Sequence, residues 1–443
     1  MRSIIYLHNL FSAFCRGIPG KECEMNRNRM LTICSGLLFA VTSSAFADGL
    51  ILDGLSPRSI GRGGTNLAFA DNGAILCDNP AGMVNIQSEG LLDVGADLML
   101  TDFHYSNPRN AGATDINLVP LPQISLMRKS VDGDWAYGVG LFVPAGFSEY
   151  YNLQGPFPLL GTHEYKSFGM LAKILPGVAY RATERLSIGA TLGVGFSHEE
   201  LQGPYFLQGP SIYQGTPTLL GLRENGVTPV WSAGLQYVLT DATTLGVTYQ
   251  SESRFKLSGR TIVEIPLMGV SSYESGMDIT WPRTLGIGLR HELCPHRIVS
   301  ADVIWTDWSK AFDSIGIRLT NPSNPFFPTI DEQIPLHWSD TVSVRLGYER
   351  VFEGGQVLRF GYVHHQNPIP KATLTPFIQG ILEHSFSAGY GFMYRRWNVD
   401  LAYMFSFSPE VAVGASDFIG GDFDLSVHRA QTHCLALSLM RQF

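Results

Sequence analysis

The strongest constraint on this chain is a period of two. From Glu89 onward, apolar side chains alternate with small or polar ones. Leu186, Ile188, Ala190, Leu192, Val194 and Phe196 are interleaved with Ser187, Gly189, Thr191, Gly193, Gly195 and Ser197. The same alternation runs through Val342–Tyr348, Phe386–Tyr394 and Trp397–Phe405. Such a pattern gives an extended strand one greasy and one polar face, and it does not fit an amphipathic helix. A soluble sandwich alternates in the same way, so strand length and the rhythm of connections must separate the two.

Fourteen strands are expected. The first seven fall near 90–105, 116–130, 134–149, 164–182, 184–199, 227–239 and 242–257, and the rest near 276–292, 297–319, 336–351, 356–366, 382–395, 397–408 and 429–443. Many exceed ten residues, and about 9–11 suffice to cross a bilayer at a tilt. Connections alternate between short (130–133, 182–183, 240–241, 353–355, 396) and long (106–115, 200–226, 258–275, 320–335, 367–381, 409–428). Short turns on one rim and long loops on the other describe a transmembrane barrel with an even strand count. Backbone groups facing hydrocarbon without partners cost several kcal/mol each, so the last strand must pair with the first. The fold class expected is an all-β, fourteen-stranded antiparallel outer-membrane barrel over 89–443.

Composition agrees. The 443 residues are 45% hydrophobic and only 16% charged, with 47 Gly, 25 Pro and 26 Phe. Soluble domains carry about 25% charged residues. The net charge of −8 becomes −11 beyond residue 47, and an acidic chain offers no phosphate-binding face, so no nucleic-acid partner is expected. Cys15, Cys23 and Cys34 precede residue 48, leaving Cys77, Cys294 and Cys434. Three scattered thiols make neither a disulfide framework nor a metal cluster, and no metal or cofactor is expected.

The N-terminus reads as an export signal over 1–47. Arg27 and Arg29 form the basic region, Leu31–Val41 the apolar one, and Ala45-Phe46-Ala47 a small-x-small cleavage site before Asp48. Residues 1–24 precede this pattern, so the true start is expected at Met25 or Met30. Residues 48–88 do not read as a strand: glycine-rich Gly61-Arg-Gly-Gly64 leads to Asn79-Pro80-Ala81. Gly61, Gly63 and Gly64 lack the spacing and βαβ context of a dinucleotide loop. A barrel of this size has a lumen wider than its side chains fill, and a segment folded inward can plug it.

The Asn79-Pro80-Ala81 turn after a glycine-rich opening resembles the N-terminal hatch of the FadL/TodX family of outer-membrane transporters. The likeness continues through Trp135–Tyr150 (WAYGVGLFVPAGFSEY), Leu175-Pro-Gly-Val-Ala-Tyr180, Thr306-Asp-Trp-Ser309, Trp338-Ser-Asp-Thr341, and Leu358-Arg-Phe-Gly-Tyr362 followed by Asn367-Pro368. The ordered set covers essentially the whole chain beyond the signal. The resemblance implies a fourteen-stranded barrel with a hatch, taking up long-chain fatty acids or other hydrophobic compounds by passive diffusion. It also implies sideways exit through a kink in the third strand, at Val143, Pro144, Ala145 and Gly146. Proline removes a ladder donor and glycine tolerates irregular backbone, which suits a kink there.

Ligand-binding candidates are Phe142 and Phe147 beside that kink, and Tyr205, Phe206, Leu207, Leu219 and Leu220 in the loop 200–226. Ile265, Leu267 and Met268 in the loop 258–275 would extend an exposed landing surface. Arg345 and Arg359, on inward faces, are candidates for a carboxylate head, with Arg283 a weaker one. Inward arginines also commonly pair with lumenal acids such as Asp400 or anchor a hatch. The chain closes on Phe443, a terminal aromatic resembling the signal read by the barrel-assembly machinery. Expected partners are therefore a hydrophobic small molecule, outer-membrane lipid and lipopolysaccharide, and that machinery, with the protein a monomer. A porin for polar solutes, an adhesin or a barrel lipase are the rival readings. The histidines 291, 296, 364, 365 and 384 sit in no recognisable nucleophile motif, so no catalytic residue is expected.

Overall fold

Strand β1 (Gly90–Ser106) sets the architecture, because it is hydrogen-bonded along its length to the last strand of the chain, Val427–Gln442. The computed structural model describes residues 50–115, 118–209 and 212–443; the expected signal segment lies outside the described residues. After β1 come β2 (Leu118–Lys129), β3 (Trp135–Gln154), β4 (Thr162–Arg181), β5 (Leu186–Phe206) and β6 (Pro217–Thr240). Strand β7 runs in two pieces, Thr243–Gln250 and Ser253–Ile265, as does β8, Gly269–Trp281 and Thr284–Cys294. Strand β9 (Arg297–Thr306, Ser314–Thr320) is interrupted by a helical turn at Trp308–Ala311, and β10 is Ile330–Pro335 with Thr341–Val351. The wall is completed by β11 (Val357–His364), β12 (His384–Tyr394), β13 (Trp397–Phe407) and β14 (Val427–Gln442).

Each strand pairs antiparallel with its neighbour in sequence, and the β14–β1 pairing closes the cylinder from Leu91↔Gln442 to Ser106↔Val427. Closure leaves neither the first nor the last strand as a free edge. Among the described residues no helix is long and apolar enough to cross a membrane.

The faces are inverted relative to a soluble protein. Outward positions such as Ile124, Leu126, Ile174, Leu192, Val194, Leu285 and Leu437 are exposed, Leu192 at 69%. Inward Asp93, Ser125, Thr191, Ser197 and Thr248 are buried. This is the apolar-out, polar-in alternation of a barrel in lipid. Aromatic side chains gather at the lower rim, where Trp135 packs on Tyr180 at 4.5 Å, and again higher up, where Trp231 meets Tyr249 at 5.2 Å.

The long connections differ from expectation. The stretches 200–226 and 258–275 are largely strand: β5 continues to Phe206, β6 starts at Pro217, and β7 and β8 are joined by 266–268. Their inward faces stay buried up there, at Thr218, Leu220, Leu222, Val263 and Tyr273, because the upper lumen is filled. Gly203-Pro204, Pro217 and Gly221 make this part of the sequence look like loop although the ladder continues through it.

Part of the filling comes from the connection 365–383, which turns into the barrel and buries Leu374, Gln379 and Ile381 completely. The two tryptophan motifs meet beside it. Trp308 lies 4.9 Å from Trp338, and Phe312 stacks on Trp338 at 4.7 Å.

Residues 50–88 run inside the lower lumen. Ser56 caps the short helix Pro57–Gly61 through a reciprocal bond set with Ser59, and Asn79 caps the 3₁₀ turn Pro80–Asn85 by accepting from the Ala81 amide. Gly63 has φ +68°, and a Cβ there would sit 2.7 Å from the Leu346 carbonyl, so only glycine lets the segment lie this close to the wall. One flank is apolar: Ile75, Leu76, Met83 and Val84 pack against Met127, Phe142, Leu175 and Val230.

The other flank is ionic. Arg58 donates to Asp400 at 2.8 Å and Arg62 to Asp71 at 2.8 Å, and Arg62 also reaches Glu349 at 3.4 Å. Arg359 bridges Glu349 at 2.7 Å and Asp400 at 2.8 Å. Buried charges persist only when paired in this way.

Candidate functional site: the third strand and the cavity beside it

Strand β3 breaks the wall. Its ladder with β4 runs Phe142↔Lys173 and resumes at Ala145↔Leu171, so Val143 and Pro144 together oppose a single residue. Pro144 has no N–H to give the ladder, which is the local cause. On the other side, pairing with β2 stops at Ile124↔Leu141. Above that point β3 meets the inner segment instead. Leu52 donates its amide to the Pro144 carbonyl at 3.0 Å, Gly146 donates to Leu50 at 3.0 Å, and Ile51 opposes Ala145 as an antiparallel bridge.

Behind this patch lies a cavity walled by Ile51, Leu52, Leu55, Pro144, Ala145, Leu171 and Trp281, with Cys77, Asp78, Lys173, Gln250 and Arg345 as its polar groups. The cavity is narrow, with a volume of only ≈ 70 Å³. A larger apolar recess between Trp135, Tyr180 and Tyr249 lies on the outer wall and faces lipid.

The cations of the cavity differ in their pairing. Arg345 reaches Asp53 at 3.4 Å, and His365 contacts the same carboxylate at 2.7 Å. Burial would raise the Asp53 pKa, but His365 and Arg345 together hold it below the usual carboxylate range. Asp78 is instead pushed up to about 6 by burial, which outweighs the bond from Asn66 at 2.6 Å. Lys173 is 8% exposed and donates to the Gln250 side-chain oxygen at 3.3 Å, with no carboxylate at ion-pair distance among the described residues. A buried ammonium with a neutral partner can accept an anion at little further desolvation cost.

The other candidates fall as follows. Phe142 is buried against the inner segment, and Phe147 is half-buried beside the upper core. Tyr205, Leu207, Leu220 and Ile265 are buried, not exposed as expected of a landing surface, since they face the filled upper lumen. Phe206 and Leu219 are half-buried, whereas Leu267 and Met268 are exposed at the tip. Arg359 is consumed by Glu349 and Asp400, and Arg283 pairs with Asp307 at 2.6 Å. Gly61, Gly63, Gly64, Asn79, Pro80 and Ala81 all hold the shape of the inner segment: the Asn79 amide donates to Leu67 and Leu235 carbonyls at 2.7 and 3.0 Å.

Lys173 escaped the sequence reading. Its signal was there: a lone charge between Leu171 and Leu175 on the face of β4 that turns inward.

A model of the family described as outer membrane protein transport protein (OMPP1/FadL/TodX) matches residues 38–443. Among solved structures, a FadL homologue of Pseudomonas aeruginosa is 17% identical, with TM-score 0.73 over 89% of this chain and 100% of its own. The toluene transporter TodX of P. putida is 18% identical, with TM-score 0.73 over 88% of this chain and 99% of its own. The monoaromatic hydrocarbon channel CymD is 21% identical, with TM-score 0.67 over 88% and 98%. No curated protein matches in sequence.

Proposed function

Because the chain belongs to the OMPP1/FadL/TodX family of outer-membrane transport proteins, we propose that it takes up hydrophobic molecules through the cavity beside β3 and releases them sideways at Val143–Gly146. The observation that carries this reading is the join at Ile51↔Ala145, where β3 is paired by the inner segment instead of by β2. An apolar cargo gains about 0.8 kcal/mol for each CH₂ withdrawn from water, so a dry cavity attracts what a water-filled pore would not. In the closed arrangement the cavity is too narrow for a chain of that kind. Its widening requires Leu50–Leu52 to separate from Pro144–Gly146, and that same displacement opens the wall. Capture and release are thereby linked to a single motion.

The buried Lys173 favours cargo with an acidic head, such as a long-chain fatty acid, over a plain hydrocarbon. The carboxylate would sit at Lys173 and the tail among Leu55, Leu171 and Trp281. The plug role of residues 48–88 belongs to the same reading, supported by the paired charges that bind them to β10–β13. Uptake and binding of labelled fatty acid, measured beside toluene, test it: a protein that binds neither in detergent is not this transporter.

A further inference from the structure

We infer that the upper lumen holds a second site, made by Glu199 and Glu224, for an organic ammonium group. The two residues are direct cross-strand partners on β5 and β6, and their side chains turn inward at 4% and 0% exposure. Partners of this kind stand about 5 Å apart, close enough to share one cation. Neither carboxylate has a lysine, arginine or histidine at ion-pair distance among the described residues, and both oxygens of Glu224 lack a hydrogen-bond donor. The outward neighbours at this level, Glu200, Arg223 and Lys166, are by contrast fully paired with one another. An unpaired buried carboxylate is costly, and here two adjoin.

The surroundings point to a ligand and to its class. The row continues through Gly259 to Ser275, whose buried hydroxyl is the polar group facing Glu224. On the opposite flank the Ser197 hydroxyl donates to Glu199 at 2.9 Å while accepting from the Trp281 indole at 3.2 Å. Gly169 has no side chain there, and the Phe147 ring and the Glu199 carboxylate both crowd into the space its Cβ would take. Two carboxylates and a hydroxyl fall short of the six to eight oxygens a calcium ion collects. A primary ammonium needs about three acceptors, and it gains further from an aromatic face at its edge.

Access to the pair requires the filled upper lumen to open and so rests on the uptake reading; its chemistry is separate from the Lys173 cavity. The test uses the full chain in non-ionic detergent at mildly alkaline pH, with tryptophan fluorescence reporting dodecylamine and dodecanol. Dodecylamine should bind roughly tenfold or more tighter than dodecanol, the difference expected of charge-assisted hydrogen bonds. In Glu199→Gln/Glu224→Gln the two should become indistinguishable with dodecanol unchanged, and Glu224→Gln alone should lose part of the preference. Equal affinities in the native chain, a preference that survives both substitutions, or displacement of the amine by calcium would overturn the assignment. Failure of dodecanol to bind would count against the uptake reading instead, and butylammonium, too short to need the apolar cavity, still reports on the pair.

Discussion

The Gly146 amide donates to the Leu50 carbonyl at 3.0 Å, so a residue from the start of the described chain holds a residue of the third wall strand. One such bond contributes about 1 kcal/mol net, small enough for a bound molecule to outcompete. Joining Ile51 and Ala145 covalently should therefore stop transport. The double variant Ile51→Cys/Ala145→Cys is expected to lower uptake at least tenfold when oxidised and to recover on reduction, since bridged cross-strand pairs have a spacing a disulfide can span. Uptake assays with and without reductant decide it; undiminished uptake by the oxidised form removes sideways release.

Straightening β3 is the complementary change. Pro144→Thr restores a ladder donor at the irregularity between Phe142 and Ala145. The variant should assemble as a heat-modifiable barrel with uptake severalfold below native. Native-level uptake would show that the break in register has no part in release.

Lys173 sets a head-group preference. Lys173→Met should weaken fatty-acid binding by about 10–100-fold, from the roughly 1.5–3 kcal/mol of a hydrogen bond to a charged group, and leave toluene binding within a factor of two or so. Fluorescence titration of both ligands separates this from a general loss of the cavity, which would weaken the two alike.

The lattice linking Arg58, Arg62, Arg359, Asp71, Glu349 and Asp400 predicts a steep response to single deletions. Asp400→Asn leaves Arg58 and Arg359 short of a partner, and breaking a buried pair costs about 3–5 kcal/mol. The inner segment of this variant should become sensitive to protease while the wall strands stay resistant.

Acidity should act on the inner segment in two stages. Asp78, with its pKa raised to about 6 by burial, takes up a proton more readily in the folded chain, so stability rises as pH falls through that value towards the ordinary carboxylate range. Asp53 and Asp71 are held low: burial opposes it, but His365 with Arg345, and Arg62 with Arg58, prevail. Their contribution is complete above about pH 4 and disappears as pH drops through the depressed values. Protease resistance of residues 50–88 should accordingly be at least as high at pH 5 as at pH 7, then collapse in stronger acid. A steady decline from neutrality would contradict these pairings.

How much of this was legible depended on the kind of signal. Strand number and closure followed from alternation and turn rhythm, because lipid on the outside enforces period two at every crossing. The irregularity at Val143–Gly146 was legible because proline and glycine constrain backbone locally. Beyond the hydrocarbon that rule lapses. The upper halves of β5 and β6 look like loop because of their Gly203-Pro204 and Gly221, and the inward turn of 365–383 leaves no periodic trace. Which arginine is spoken for and which lysine is not depends on residues hundreds of positions apart, as Arg58 and Asp400 are, and one chain carries no mark of that pairing.

The ionic partners of the inner segment have a consequence for biogenesis. Residues 50–88 precede every wall strand in the chain, yet Glu349, Arg359 and Asp400 belong to β10, β11 and β13, among the last to be made. Until then Arg58 and Arg62 have no wall acids to meet, and the segment must wait, solvated, while most of the cylinder forms. Its ionic seating is thus a late step of assembly, because it needs β10, β11 and β13 in place.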